Sequence, residues 1–194
     1  MSLRNPYGDF EITDPQAMRA LAHPVRLAAL SWLQKNGPAT ATQLSEHVGA
    51  SPSVTSWHLR HLASFGLVVD GPPPEGSDRR QRWWNAVARG FRVTMPDTPE
   101  GVEAGRLLLA EMMSQALEQA QHWLAEIEPG LDPEWRRVAG SANTRLIVTV
   151  DEADAIEQEI EQVLAPYVQR GEEGAPPDAR SVRHLRMSLP EATA

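Results

Sequence analysis

Proline and glycine divide the first 90 residues into short segments, and this division constrains the fold more than any other feature of the sequence. Asp14 followed by Pro15 is typical of a helix start, because aspartate caps the first turn and proline suits the first helical position. Pro24 opens a second helix, which the Asn-Gly-Pro sequence at residues 36–38 ends. The side chains between them are broadly apolar, which predicts a buried central helix.

Two further short helices follow, each with its own start and stop signals. Thr40 or Thr42 caps the first, which stops at Gly49. Ser51-Pro52 caps the second, and Gly66 closes it. This second helix has an apolar stripe at helical spacing, formed by Thr55, Leu59, Leu62 and Phe65. The pattern predicts an amphipathic helix with one buried face.

Two β-prone runs come next, at residues 67–70 and 81–87, and a polar, proline-rich tip at residues 71–78 separates them. Such a pair predicts a β-hairpin with a long tip, which we call the wing. The helices, with a short turn before the last of them, are followed by a hairpin. This is the order of a winged helix-turn-helix domain. We assign this domain to residues 1–95.

The second half predicts a C-terminal domain over residues 96–194. A proline-free amphipathic pattern over residues 100–128 predicts a helix about 40 Å long. Residues 145–150 and 181–189 have the composition of strands, and Asp151 is expected to cap an acidic amphipathic helix between them. The expected fold class is mainly α with small β: an N-terminal winged helix-turn-helix domain, plus a C-terminal α+β domain entered by a long helix.

Composition excludes several classes of protein. The 194 residues include no cysteine, which excludes disulfides, thiolate metal sites and thiol nucleophiles. No apolar run approaches the roughly 18 residues of a transmembrane helix, and the N-terminus lacks the apolar region of a signal peptide. A cytoplasmic location is therefore expected.

The net charge of −8 is divided unevenly along the chain. Residues 1–95 contain ten Arg and Lys against seven Asp and Glu, a net charge of +3, whereas residues 96–194 have a net charge of −11. This asymmetry indicates that the two halves have different partners.

Three motifs in a fixed order point to a known family. They are LAHPVRL at residues 21–27, SPSVTSWHLRHLASFGLV at residues 51–68, and RQRWWNAV at residues 80–87. Over residues 14–90 the chain resembles the ArsR/SmtB family of winged-helix transcriptional regulators. The resemblance implies a DNA-binding domain in which the helix that Ser51-Pro52 caps and Gly66 closes is the recognition helix.

The recognition helix needs small and cationic side chains on the face opposite its apolar stripe. Serines let a helix approach the major groove, and Arg60 can bond a guanine edge or a phosphate. Arginines at the wing meet phosphates or the minor groove. The expected DNA-binding residues are Thr42, Gln43, Ser51, Ser53, Ser56, Trp57, Arg60, Arg79, Arg80 and Arg82.

The roles of three tryptophans and of one histidine do not follow from the motifs alone. Family members often have arginine at the position of Trp57, and its indole either contacts thymine methyls or sugars in the groove or packs on a neighbouring helix. His58 lies beside the apolar stripe and is interpreted as structural. Trp83 and Trp84 alternate along a strand, which predicts that one is buried and the other exposed.

The sequence predicts no metal site, no cofactor and no enzymatic activity. The cysteine pair of metal-sensing family members is missing, and His122 with Glu126 is interpreted as a polar pair on an outer helix face. The catalytic sequence motifs of hydrolases, nucleotide-binding enzymes and zinc proteases are not found.

The predicted function is that of a sequence-specific, homodimeric DNA-binding regulator, a repressor that binds double-stranded DNA and does not sense metal. A small-molecule effector acting around residues 100–135 is left open. The alternative is a protein-interaction or small-ligand-sensing module in which the winged helix docks protein.

Overall fold

The computed structural model describes residues 9–77, 80–170 and 174–192. Contacts divide the chain into two units, with the boundary after Leu131. The elements of the first unit are β1 (Phe10–Ile12), α1 (Pro15–Leu21), α2 (Pro24–Asn36), β2 (Ala39–Thr40), α3 (Ala41–Val48), α4 (Pro52–Ser64), β3 (Val68–Gly71), β4 (Trp83–Ala86), β5 (Phe91–Val93) and α5 (Pro99–His122). The helices and the hairpin follow the predicted order, and the mainly helical class with small sheets is confirmed.

The helix starts form as their capping residues predict. The carboxylate of Asp14 accepts a hydrogen bond from the N–H of Gln16 at 2.9 Å at the start of α1. Thr40, rather than Thr42, caps α3, because Thr40 and Gln43 bond each other's backbone in a reciprocal capping box. Gly49 ends α3 in the left-handed conformation, with φ of +66°.

The wing hairpin is confirmed, and the sheet around it contains one more strand than expected. Strands β3 and β4 pair antiparallel, and β2 adds to the other side of β4. A separate parallel pair joins β1 to β5. Neither β1 nor β2 was predicted, since strands of three and two residues are too short to show a side-chain period.

Both tryptophans of β4 are buried, so the predicted alternation of one buried and one exposed indole is wrong. Trp84 is packed into the core. Trp83 occupies the central strand, opposite Thr40 on one side and Gly71 on the other. The central position pairs the backbone of β4 on both sides, whereas the burial of both indoles requires residues packed on both faces of the sheet.

Helix α5 belongs to the core of the first unit. Ala104 and Leu108 are fully buried in the same cluster as the helices of the N-terminal half. On the surface, the guanidinium of Arg19 in α1 binds the carboxylates of Glu100 and Glu103 at 2.7 and 2.9 Å. These contacts join α5 to the first unit, which ends at Leu131.

The end of the long helix changes its winding. Beyond His122 the chain continues through a π-helical turn, Trp123–Ile127, and a 3-10 turn, Glu128–Gly130. The second unit contains α6 (Pro133–Val138) and α7 (Val150–Arg170). Helix α6 was not predicted, although Asp132 followed by Pro133 gives it the same start signal as α1.

The strands predicted at residues 145–150 and 181–189 do not form in the described part of the second unit. A β-prone run becomes a strand only when its backbone forms hydrogen bonds with another strand. Here the run at residues 181–189 contacts α7 through its side chains instead. Arg186 and Ser188 bind Glu157 of α7, at 3.3 and 2.7 Å, and Ile147 is 93% exposed. The expected α+β character of this half is therefore wrong, and the described residues contain helices without strands.

The acidic helix α7 begins two residues earlier than an Asp151 cap requires. The hydroxyl of Thr149 accepts from the N–H of Glu152 at 3.2 Å, and the Glu152 carboxylate accepts from the N–H of Thr149 at 2.7 Å. This reciprocal capping box also holds the pKa of Glu152 below its usual value.

Within the described residues, no helix combines the length and the apolar character that crossing a membrane requires.

Removing the buried side chain of Leu108 should destabilise the first unit. We expect Leu108→Ala to lower the free energy of unfolding by about 2–5 kcal/mol, because it leaves a cavity in the core. Leu124, which is 62% exposed, provides the matched change, and Leu124→Ala should cost far less. Urea unfolding at one protein concentration measures both. Equal costs would contradict the assignment of α5 to this core.

Candidate nucleic-acid interface

The face of α4 that holds it in place is the predicted apolar stripe. Thr55, Leu59 and Leu62 are fully buried, and His58 is buried beside them. Phe65, at the helix end, is partly buried against the same core. This stripe fixes the rotation of α4 and therefore determines which side chains face solvent.

The opposite face of α4 presents the residue types that a DNA groove accepts. Ser53 and Arg60 are exposed, Trp57 is 53% exposed, and Ser56 is half-buried. The guanidinium of Arg60 donates to the hydroxyl of Ser56 at 2.8 Å, one helical turn earlier. The bond leaves the other guanidinium N–H groups of Arg60 to be directed at an acceptor.

Ser51 has a structural role as well as the predicted one. Its hydroxyl lies 3.4 Å from the N–H of Val54, which it caps, and 3.2 Å from the hydroxyl of Ser53. The first turn of α4 thus places two hydroxyls together at the positive end of the helix dipole, where phosphates bind favourably.

Helix α3 places its predicted contact residues at the surface. Thr42 and Gln43 are both exposed. The side-chain oxygen of Gln43 accepts from the N–H of Thr40 at 2.9 Å, in the capping box of α3. Gln43 is therefore held close to the start of the helix, and its predicted role at DNA stays a prediction.

In the wing, the guanidinium of Arg82 already makes contacts within the protein. The guanidinium of Arg82 lies 2.8 Å from the carboxylate of Asp70 in the neighbouring strand, and 4.4 Å from the centre of the Trp84 ring. Arg80 is exposed. Arg79, the third predicted wing contact, lies outside the described residues.

A ring cluster that the sequence did not predict lies beneath and along α4. The rings of His23 and His58 are 4.6 Å apart, and the edge of His58 meets Trp57 at 4.9 Å. Trp57 stacks on His61 with ring planes 5° apart. The spacing of four residues between Trp57 and His61 was visible in the sequence, whereas nothing local indicates the contact between His23 and His58.

The histidines of this cluster are kept neutral. Burial, and then electrostatic repulsion from Arg26 and from His23 and His61 whenever these are protonated, lowers the pKa of His58. Burial and then Arg26 lower the pKa of both His23 and His61, and Glu111 of α5 partly opposes the change at His23. The Nδ1 atoms of His23 and His58 are buried without a hydrogen-bond partner. Protonation would therefore place a charge among apolar and cationic neighbours.

Arg26 holds the junction next to this cluster. Its guanidinium donates to the backbone carbonyl oxygens of Ala20 and, at 3.4 Å, of Arg19. It thus ties the start of α2 to the end of α1 and is buried more than most arginines. The arginine of the LAHPVRL motif is structural here.

No metal-binding constellation is found among the described residues, where no three His, Asp or Glu side chains come together. An open cavity of about 540 Å³ lies at the start of α5. Its lining is Asp97, Thr98, Pro99, Val102, Glu103, Arg106, Leu107 and Ala110.

Comparison with known proteins finds a family that resembles one segment of the chain. Residues 23–69, which run from the start of α2 into β3, match the family described as "Bacterial regulatory protein, arsR family". Residues 23–69 form an arsR-type helix-turn-helix. The matched segment contains the predicted contacts on α3 and α4, and the wing arginines lie beyond it.

One relative has a stretch of closer similarity to this arsR-type segment. The HTH-type transcriptional regulator NmtR of Mycobacterium tuberculosis (strain ATCC 25618 / H37Rv) is 46% identical over 52 residues. Those residues make up 27% of this chain and 42% of NmtR, so the match covers less than half of either protein.

Two solved structures are also similar. One is described as a possible transcriptional regulator for arsenical resistance, with 25% identity, covering 66% of this chain and 97% of that chain at a TM-score of 0.31. The other is ZitR of Lactococcus lactis, with 15% identity, 75% of this chain and 83% of that chain, and a TM-score of 0.33. With TM-scores this low, the arsR-type assignment rests on the sequence match.

Acidification should destabilise the protein through the neutral histidines. Because burial lowers the pKa of His58 in the folded state, the unfolded chain binds more protons below about pH 6.5, and stability is lost as the pH falls through that value. We expect His58→Phe to weaken the loss of unfolding free energy between about pH 7.5 and about pH 5.5.

Urea unfolding of the wild type and of His58→Phe at both pH values measures this difference. The higher pH is the internal reference, since histidine is then largely neutral in both states. An unchanged pH dependence in the variant would show that His58 is not its source.

Proposed function

We propose that the chain is a sequence-specific DNA-binding transcriptional regulator that acts as a homodimeric repressor in the cytoplasm. The observation that supports this most is the construction of α4. Its apolar stripe is buried, and Ser53, Trp57 and Arg60 are exposed on its other side, within a segment that matches the arsR family. A helix is about 10–12 Å wide and fits a major groove of about 12 Å.

The exposed residues divide into two chemical classes of contact. Ser56 and Arg60, joined by their hydrogen bond, offer donors to base edges or phosphates. The arginines of the wing offer charge to phosphates, which positions the protein without selecting a sequence. The +3 charge of residues 1–95 supports this assignment of the DNA-binding surface.

Helix α5 supports the proposed dimer. Leu107, Leu109 and Leu117 are exposed on it, and the open groove at its start has apolar lining from Val102 and Leu107. A second copy of the chain would cover this surface by two-fold symmetry and place two recognition helices about 34 Å apart, one turn of DNA.

The composition of the chain limits the kinds of signal to which the proposed regulator can respond. The absence of cysteine from the sequence favours a mechanism without thiolate metals or thiol oxidation. A small-molecule effector around residues 100–135 would act by binding more tightly to one of two dimer states.

Replacing Arg60 should weaken specific DNA binding and relax base preference. We expect Arg60→Ala to cost about 1–3 kcal/mol on the preferred sequence, with the change confined to one position of each half-site. Selection from random duplexes, followed by fluorescence anisotropy, measures both. Arg89 is an exposed arginine of the same unit, and Arg89→Ala provides the comparison. A uniform loss on all sequences would assign Arg60 to phosphate contact.

Replacing the wing arginines together should weaken all DNA binding and flatten its salt dependence. Each phosphate contact contributes about 0.9 to the slope of log affinity against log salt, so loss of Arg79, Arg80 and Arg82 should reduce that slope by up to about three. Anisotropy titrations at several salt concentrations measure it. A triple variant with the wild-type slope would show that the wing does not contact phosphates.

The protein should be a dimer in solution. Light scattering at micromolar concentration is expected to give about twice the chain mass of 21.4 kDa. Leu107→Glu should yield monomers, because it places a charge in the covered surface. Val69→Glu, a matched change at an exposed residue of β3, should leave the dimer intact. A monomeric wild type would contradict the proposed assembly.

A further inference from the structure

The indole of Trp57 is held on one side and open on the other. Its ring lies 5.7 Å from the ring of His61, with the planes 5° apart, and the ring of His58 meets it edge-on at 4.9 Å. Despite these two contacts the side chain stays 53% exposed. The indole therefore presents an open apolar surface on the solvent side of α4.

His61 is itself held in place. The edge of its ring meets Phe65 at a centroid distance of 5.3 Å and an angle of 76°. Phe65 packs against the core of the first unit. Trp57, His61 and Phe65 are spaced by four residues along one side of α4, so that each ring is supported by the next toward the core.

The charge state of His61 suits this arrangement. Burial, and then the neighbouring Arg26, lower its pKa. A neutral imidazole provides a flat surface for the indole without adding a charge beside Arg60. Arg26 of α2 is also the charge that faces His61 from the neighbouring helix.

We propose that His61 is a positioning residue that holds the indole of Trp57 for contact with the methyl group of a thymine in the major groove. The inference rests on the proposed function as a DNA-binding regulator. Thymine alone presents a methyl group in the major groove, and an apolar ring surface favours that group over hydrogen-bonding edges. Ser56 and Arg60, which are hydrogen-bonded to each other on the same helix, supply the polar contacts that the indole does not make.

The first measurement tests the stack without DNA. The protein contains six tryptophans, and incorporation of fluorotryptophan gives each a fluorine NMR signal, of which Trp57→Phe identifies one. His61→Ala should shift that signal because it removes the ring on which the indole stacks. His61→Phe should restore the signal because phenylalanine provides a flat ring at the same position. His47→Ala is the matched control, since His47 stacks on Trp32 at 5.4 Å; it should leave the Trp57 signal in place. An unmoved Trp57 signal in His61→Ala would overturn the positioning role.

The second measurement tests the thymine contact. A preferred duplex is selected from random sequences, and each thymine is replaced in turn by deoxyuridine, which removes only the methyl group. At one position of each half-site, wild-type affinity should fall about fourfold, the value of one buried methyl group. Trp57→Ala and His61→Ala should lose this discrimination, whereas His61→Phe and His47→Ala should keep it.

The double variant separates positioning from a general loss of stability. Trp57→Ala and His61→Ala should weaken binding by similar factors, and the two together should weaken it no further, because they remove the same contact. Multiplied effects, or retained discrimination in His61→Ala, would overturn the role of His61. If deoxyuridine leaves the affinity of the wild type unchanged at every position, the thymine contact alone is overturned. Failure to select any sequence would instead overturn the proposed function, and with it the thymine contact.

Discussion

The burial of one face of α4 is the constraint on which the rest of the first unit depends. Leu59 and Leu62 are fully buried, together with Leu30 of α2 and Leu44 of α3. Side chains of this size contribute about 1.5–3 kcal/mol each when buried, far more than the surface contacts of the same helix. The core therefore fixes the rotation of α4, and the exposed side chains face solvent as a consequence of that packing.

The same core makes α5 part of the first unit. Leu108 reaches the cluster that holds α1, α2 and α4, and Arg19 binds two glutamates of α5 at the surface. The exposed ion pairs add little, since such pairs are worth about 0–1 kcal/mol, so burial of apolar surface provides the attachment. If α4 is the recognition helix, as proposed, a change at the surface of α5 has a packed route to the exposed face of α4 through this shared core.

Local signals made much of this fold predictable. The capping residues Asp14 and Ser51 act on atoms two or three residues away, and the apolar stripe of α4 repeats within a single helix. The prediction was wrong where the outcome depends on distant parts of the chain. Trp83 is buried in a strand that pairs with the two-residue strand β2, a distant partner that no local pattern indicates. The segments at residues 145–150 and 181–189 have the composition of strands, but in the described structure they lack a paired backbone.

The contacts of Arg82 decide how the wing can serve DNA binding. Its ion pair with Asp70 is about half exposed on both sides, and a pair of that kind is worth at most about 1 kcal/mol. A phosphate that replaces Asp70 also releases condensed counterions, which favours the exchange at low salt. Stacking on Trp84 can persist during that exchange, because the ring contact uses the face of the guanidinium and the anion uses its edge. Trp84 would therefore hold Arg82 at the base of the wing while its anionic partner changes, and in the proposed complex a phosphate would take the position that Asp70 occupies in the free protein.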